Sequence, residues 1–264
     1  MTDRATIDEW AAAALELGRW AAEEMRNSEP LQLTAKANLA DIVTDVDQRI
    51  ESRVRDVLSR RFPSHTISGE EFGTTGGNAG SPTWYLDPID GTTNFANGIP
   101  WSSFSLALED GDGPLLGVVV DPSRGEIFTA ERGNGARLNG LPVHCSPASS
   151  LAGTVVLTEW RGHLPWEGMY SVITELANDH ATTRIMGSSA LSLVTTGCGR
   201  SVATILGAYD PIDDMAGLLF AQEAGARIEL VATGVGSLTV VAPGVSGAVA
   251  AARERATARD AAMS

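Results

Sequence analysis

Three apolar runs, WSSFSLAL (101–108), GPLLGVVV (113–120) and EIFTA (126–130), are joined by two short connectors, EDGDG and DPSRG. Connectors this short and this rich in Gly, Asp and Pro return the chain alongside itself, so the stretch predicts an antiparallel meander. After a Ser/Pro/Ala-rich break at 146–150 the pattern changes. Strand-like TVVLT (154–158), RIM (184–186), SVATIL (201–206) and RIELV (227–231) alternate with helical patterns around 169–176, from Ser189 and from Asp213. That alternation predicts an α/β half with a mixed sheet. The expected fold class is therefore α/β in layers, with an antiparallel sheet in the first half and a mixed sheet in the second. We read residues 1–264 as one domain with subdomains of about 1–148 and 149–264.

Two helices are expected ahead of the meander. Thr6 and Glu9 have capping-box spacing before Ile7, Trp10, Ala14, Leu17 and Ala21, and Thr44 and Asp47 have it before Val46, Ile50, Val54, Val57 and Leu58. Next come strand-like HTIS before Gly69 and TWYL before Asp87, separated by the loop GTTGGNAGSP (73–82).

A formal net charge of −14 repels phosphate backbones and anionic lipid, so neither nucleic acid nor a membrane surface is an expected partner. Residues 230–252 carry no charge, but Gly, Ser, Thr and Pro interrupt them, and SLTVVAP and SGAVAAA read as a buried strand and a small-residue helix rather than a span. The two cysteines, Cys145 and Cys198, form no metal or disulfide spacing, and the charged opening MTDRATIDEW has no apolar leader core, so a cytoplasmic protein is expected. An acidic protein acting on an anion needs local positive charge, and bound cations can supply it.

The densest chemistry lies in Asp87-Pro88-Ile89-Asp90-Gly91-Thr92-Thr93-Asn94-Phe95, between WYL and a helix start. Two carboxylates three residues apart around a proline turn, with the Ile89 carbonyl between them, form an oxygen-rich set of the kind hard divalent cations take. Gly91 permits close backbone approach, and the Gly91 and Thr92 amides at a helix start would face a phosphate. A bare D-x-x-D is also what an acidic surface turn looks like; the full string is what separates the two. Gly69-Glu70-Glu71 ends a strand and could bring Glu70 to the same place. Asp41 and Asp47 flank the start of the second helix, and Asp213-Asp214 begin a late one, where each could equally act as a cap.

Taken together, D-I-V-T-D-V-D, G-E-E, W-Y-L-D-P-I-D-G-T-T-N-F, G-S-S-A at Gly187, Ser188, Ser189 and Ala190, and D-D-M-A-G-L-L-F-A-Q-E-A-G resemble the inositol monophosphatase family over most of the chain. The resemblance implies an α-β-α-β-α sandwich, a homodimer, Mg2+ as cofactor at two or three ions per site, and sensitivity to lithium. It implies that Glu70, Asp87 and the Ile89 carbonyl hold one metal, and Asp87, Asp90 and Asp213 a second. Thr92 with Asp47 would activate water, with Glu70 assisting. Asp90, Gly91, Thr92, Gly187, Ser188, Ser189 and Asp213 would contact the substrate.

Asp213 stands ten residues before Glu223, as the family's last ligand does, with Asp214 as a rival beside it, while Ile212 occupies a position usually aromatic. Leu206 stands where inositol-specific relatives typically carry a glutamate that bonds ring hydroxyls. The expected activity is hydrolysis of a small phosphate monoester, inositol 1-phosphate or a related polyol or cyclitol phosphate. Histidinol phosphate, fructose 1,6-bisphosphate and nucleotide 3'-phosphates are competing substrates for the same motif. From another class, a catalytically weak regulatory or interaction protein could use this fold, and the complete Thr92 and Asp47 pair argues against it. The four histidines have no partner motif and are read as structural or surface residues. A dinucleotide-binding domain is disfavoured because no G-x-G-x-x-G follows a strand.

Overall fold

The structure, a computed structural model, describes residues 3–28, 33–35, 42–78, 80–230 and 237–263. In chain order the elements are α1 (Arg4–Asn27), β1 (Leu33–Ala35), β2 (Ile42–Thr44), α2 (Asp45–Arg61), β3 (Thr66–Gly69), β4 (Gly73–Gly76), β5 (Thr83–Asp90), α3 (Thr92–Ala96) and β6 (Ser103–Asp110). They continue as β7 (Gly113–Asp121), β8 (Glu126–Glu131), β9 (Gly135–Leu138), β10 (Leu141–Pro142), β11 (Val155–Thr158), α4 (Met169–Asn178), β12 (Thr182–Ile185) and α5 (Ser189–Gly197). The chain ends with β13 (Ala203–Leu206), α6 (Pro211–Glu223), β14 (Arg227–Leu230), β15 (Leu238–Val241) and α7 (Ser246–Met263).

The meander forms as its turns require. Strands β5 to β10 pair antiparallel in sequence order, and β3 joins β5 in parallel, completing an eight-stranded sheet ordered β10-β9-β8-β7-β6-β5-β3-β4. The second sheet has five strands ordered β12-β11-β13-β15-β14 and is mixed, with β11 parallel to both neighbours. Part of the expected loop at 73–82 is instead the edge strand β4, paired antiparallel with β3 and anchored by Arg55, which donates to Thr75 Oγ1 at 2.7 Å and to the Gly73 carbonyl.

Helix α1 starts earlier than its Thr6–Glu9 spacing suggested. Asp3 is the N-cap, its carboxylate accepting from Thr6 N at 3.1 Å and Thr6 Oγ1 at 2.7 Å, so Thr6 is a donor inside the first turn. Thr44 and Asp47 do make the expected capping box on α2. Similarly, α6 begins at Pro211 behind Asp210, whose carboxylate accepts from Ile212 N, rather than at Asp213.

The layers follow from which apolar faces meet. Trp10, Leu17, Val46, Ile50 and Leu58 of α1 and α2 pack on one face of the eight-stranded sheet. Ala190, Val194, Met215 and Phe220 of α5 and α6 cover its other face, while Leu193, Leu218 and Ala221 turn toward β13 and β15. Met169, Val172 and Leu176 of α4 with Val249 and Ala252 of α7 close the far side. The result is α-β-α-β-α. The middle layer is tight: a Cβ on Gly217 would lie 2.7 Å from Leu193 Cβ, and one on Gly117 would lie 2.8 Å from the Ala216 carbonyl oxygen. The uncharged stretch at 230–252 supplies β15 and the start of α7 among its described residues, and no described helix is long and apolar enough to cross a membrane.

Candidate active site

Asp87 and Asp90 lie on β5 where its pairing with β6 slips between Asp87↔Ser105 and Asp90↔Ser103. The irregularity matters because side chains alternate faces along a regular strand. Asp87 Oδ1 accepts from Ile89 N at 2.9 Å, closing a local turn around Pro88. Gly91 follows at φ +88°, where a Cβ would stand 2.8 Å from the Gly187 carbonyl oxygen. Both requirements select glycine.

Thr92 opens α3. Its hydroxyl lies 2.9 Å from the Ile89 carbonyl oxygen and 3.3 Å from Asp47 Oδ1. The other Asp47 oxygen accepts from Thr44 N at 2.9 Å and from Thr44 Oγ1. Burial pushes Asp47 up to about 6 despite those bonds. Glu70 leaves β3 with its amide bonded to the Leu86 carbonyl at 3.1 Å. The turn behind it is held by fully buried Glu51, which accepts from Glu71 N at 2.8 Å and Phe72 N at 3.1 Å and pairs with Arg55 at 2.7 Å.

From the second half, β12 delivers Met186 and Gly187, and Ser188 caps α5. Ser188 Oγ donates to Asp90 Oδ2, joined there by Ala190 N at 2.8 Å, while Ser189 N reaches Asp90 Oδ1 at 3.3 Å. Asp213 and Asp214 face apart. Asp214 is buried and accepts from Ser189 Oγ at 2.7 Å and Asp210 N at 2.8 Å, so it locks the start of α6. Asp213 lines a cleft of about 590 Å³ together with Glu70, Asp90, Gly91, Thr92, Glu159, Trp160, Gly187, Ser188 and Ser189.

The acids sense one another. Burial first, then the charges of Glu70, Asp90 and Asp213, hold Asp87 well above the usual carboxylate range, and burial with Asp214, Asp90 and Glu70 does the same to Asp213. Asp90 is pushed up to about 6 by burial, with the Ser188, Ala190 and Ser189 donors opposing. Among the described residues no three acidic, histidine or cysteine side chains are already gathered into a metal-holding group. Converging these carboxylates further costs repulsion that a cation offsets, and an all-oxygen donor set of this charge fits Mg2+.

The structure thus brings together Glu70, Thr92, Asp47, Asp87, Ile89, Asp90, Gly91, Gly187, Ser188, Ser189 and Asp213. Asp41 lies outside the described residues. Leu206, expected in the substrate pocket, is instead a core residue: it pairs with Leu238 on β13–β15 and packs with Leu193, Leu218 and Val240. Of the histidines, His65 is structural, accepting from Trp84 Nε1 at 3.0 Å, and His163 is exposed on the cleft rim. Sequence reasoning missed Glu51 and Glu159. Their signals were an acid on the buried stripe of α2 and an acid directly after the apolar run TVVLT, at the carboxyl end of a parallel strand where α/β sheets place ligands.

The sequence profile of the inositol monophosphatase family matches residues 6–263. The chain belongs to that family. Its relatives within it include inositol monophosphatase 1 of Solanum lycopersicum, 34% identical over 85% of this chain and 85% of the relative. A second is Nus factor SuhB of Pasteurella multocida, 35% identical over 82% of this chain and 81% of that one. Among solved structures, Mycobacterium tuberculosis SuhB superposes with a TM-score of 0.78 at 30% identity, covering 94% of this chain and 97% of that one.

Proposed function

We propose that the protein hydrolyses a small phosphate monoester in this cleft with Mg2+, the ester being inositol 1-phosphate or a related polyol or cyclitol phosphate. The observation that carries the reading is the convergence of Glu70, Asp87, Asp90 and Asp213 from both halves beside the Thr92–Asp47 pair. Glu70, Asp87, the Ile89 carbonyl, Asp90 and Asp213 would hold the cations. Mg2+ bound there would neutralise the phosphate dianion, acidify a water and stabilise the leaving alkoxide.

The chain's own part is orientation and proton handling. The Thr92 hydroxyl donates toward Asp47 or the Ile89 carbonyl, which leaves its lone pairs to accept from the attacking water. Asp47, at about 6, is mostly ionised at neutral pH and suited to take that proton through Thr92. The Gly91 and Thr92 amides would hold the phosphate, with Gly187, Ser188 and Ser189 closing the opposite wall. Because Leu206 is in the core, selection of the alcohol falls to the rim, where Trp160, His163 and Ile185 stand. Pairing into a homodimer belongs to the same proposal.

Purified protein with millimolar Mg2+ should release phosphate from a panel containing inositol 1-phosphate, glycerol 2-phosphate, histidinol phosphate, fructose 1,6-bisphosphate and adenosine 3'-phosphate, with a polyol ester preferred. Absence of release from every ester would contradict the reading. A preference for another ester would replace the substrate and keep the class.

A further inference from the structure

Glu159 is a buried carboxylate on the cleft wall that the proposed chemistry does not use; it is 6% exposed. It follows β11 directly, beside the point where β12 ends, since Thr158 pairs with Ile185. Its Oε2 accepts from Gly187 N at 2.6 Å and Met186 N at 3.2 Å, and its Oε1 from Ser192 Oγ at 2.6 Å. The segment it holds is the one that meets the other half of the site. Asn94 Nδ2 donates to the Met186 carbonyl at 2.7 Å, Gly187 abuts Gly91, and Ser188, Ser189 and Ala190 all donate to Asp90. Residues 186–190 are thus strung between two carboxylates, Asp90 on the cleft side and Glu159 behind.

We propose that Glu159 is a positioning residue that acts by its length and hydrogen bonds, not by its charge, holding Met186 and Gly187 so that Gly187 and Ser188 stay seated against Gly91 and Asp90. Asp90 has a second duty in the proposed function, on which this inference rests for its turnover readout. Glu159 has none in that reading, and its two oxygens already accept from Met186 N, Gly187 N and Ser192 Oγ.

The two modes of action predict opposite rankings for two near-isosteric variants. Glutamine keeps the reach: its carbonyl oxygen can accept from Met186 N and Gly187 N while its amide donates to Ser192 Oγ. Burial pushes Glu159 up to about 7, so a neutral form of the same shape is already populated near neutral pH. Aspartate keeps the charge but is shorter by one methylene, about 1.5 Å, and cannot span both Gly187 and Ser192.

We expect Glu159→Gln to keep kcat/KM within about threefold of the parent and Glu159→Asp to lose at least about tenfold, the scale of an ångström-level displacement near the chemistry. Amide hydrogen exchange of 186–190, referenced to β7, should stay slow in the Gln variant and quicken in the Asp variant. That second readout needs no turnover, so it tests the clamp even if no ester is hydrolysed and the proposed function fails. An Asp variant equal to or better than the Gln variant, equal losses in both, or parent-like rates and exchange in both would overturn the assignment.

Discussion

The two halves of the molecule bring acids to one cleft by different means. In the first, Asp87 and Asp90 ride on β5, which has hydrogen-bonded strands on both sides, so their placement follows from sheet register and one irregularity. In the second, Gly187 to Ala190 and Asp213 sit at the starts of α5 and α6, where no ladder continues. Their placement depends on side chains: Asp90 and Asp214 accept from amides at the helix starts, and Glu159 and Asn94 bond the backbone of Met186 and Gly187 that leads into α5. A site divided this way should fail through strand register on its sheet side and through single polar contacts on its helical side.

The largest expected effect breaks the sheet side at Asp87, the more buried of the two β5 acids. Asp87→Asn should lower kcat by about a thousandfold with the fold intact, the upper range for removing one charge-stabilising group. Circular dichroism alongside the rate would expose a collapse of the sheet instead. On the helical side, Asp213→Asn should cost at least about a hundredfold in kcat, whereas Asp214→Asn should cost much less and chiefly lower Tm by loosening the start of α6. The reverse ranking would exchange the roles of the two adjacent acids.

Leu206 bears on the same contrast because it lies on β13 of the second sheet and packs against Leu193 of α5 and Leu218 of α6. Leu206→Ala should destabilise by about 2–5 kcal/mol in urea unfolding while leaving kcat/KM of the folded protein nearly unchanged. A selective change in ester preference would return this position to the substrate pocket.

The smallest effect is one of pH. Burial holds Glu159 at about 7 against an ordinary value near 4.5, so the folded state retains a proton that the unfolded chain releases. Its contribution to stability is full below about 4.5 and is lost as pH rises toward 7. The Tm of Glu159→Gln relative to the parent should therefore rise between pH 5 and pH 8, and a flat or falling difference would contradict the shift.

The meander and the α/β alternation were legible because their signals are local: short acidic turns and apolar runs of strand length. That Asp87, Asp90 and Thr92 lie close together was legible because nine consecutive residues carry them. Leu206 was misplaced because spacing along the chain does not say which face of β13 turns toward α5 and α6. The Thr6 cap was misread because Asp3 competes for the same helix start, and only geometry shows which side chain accepts. Glu51 and Glu159 have only weak signals because each works through backbone amides far along the chain, Glu159 through residues 27 and 28 positions later. Sequence patterns name side-chain chemistry well and backbone partners poorly.

Cation dependence is read most directly from phosphate release from the preferred ester after exhaustive chelation and again as Mg2+ is restored. Asp87 and Asp213, whose proton affinity burial and the neighbouring acids raise, should support no turnover when the protein is stripped, and activity should return with millimolar Mg2+. Full activity in the chelated protein would rule out a cation-dependent reaction in this cleft.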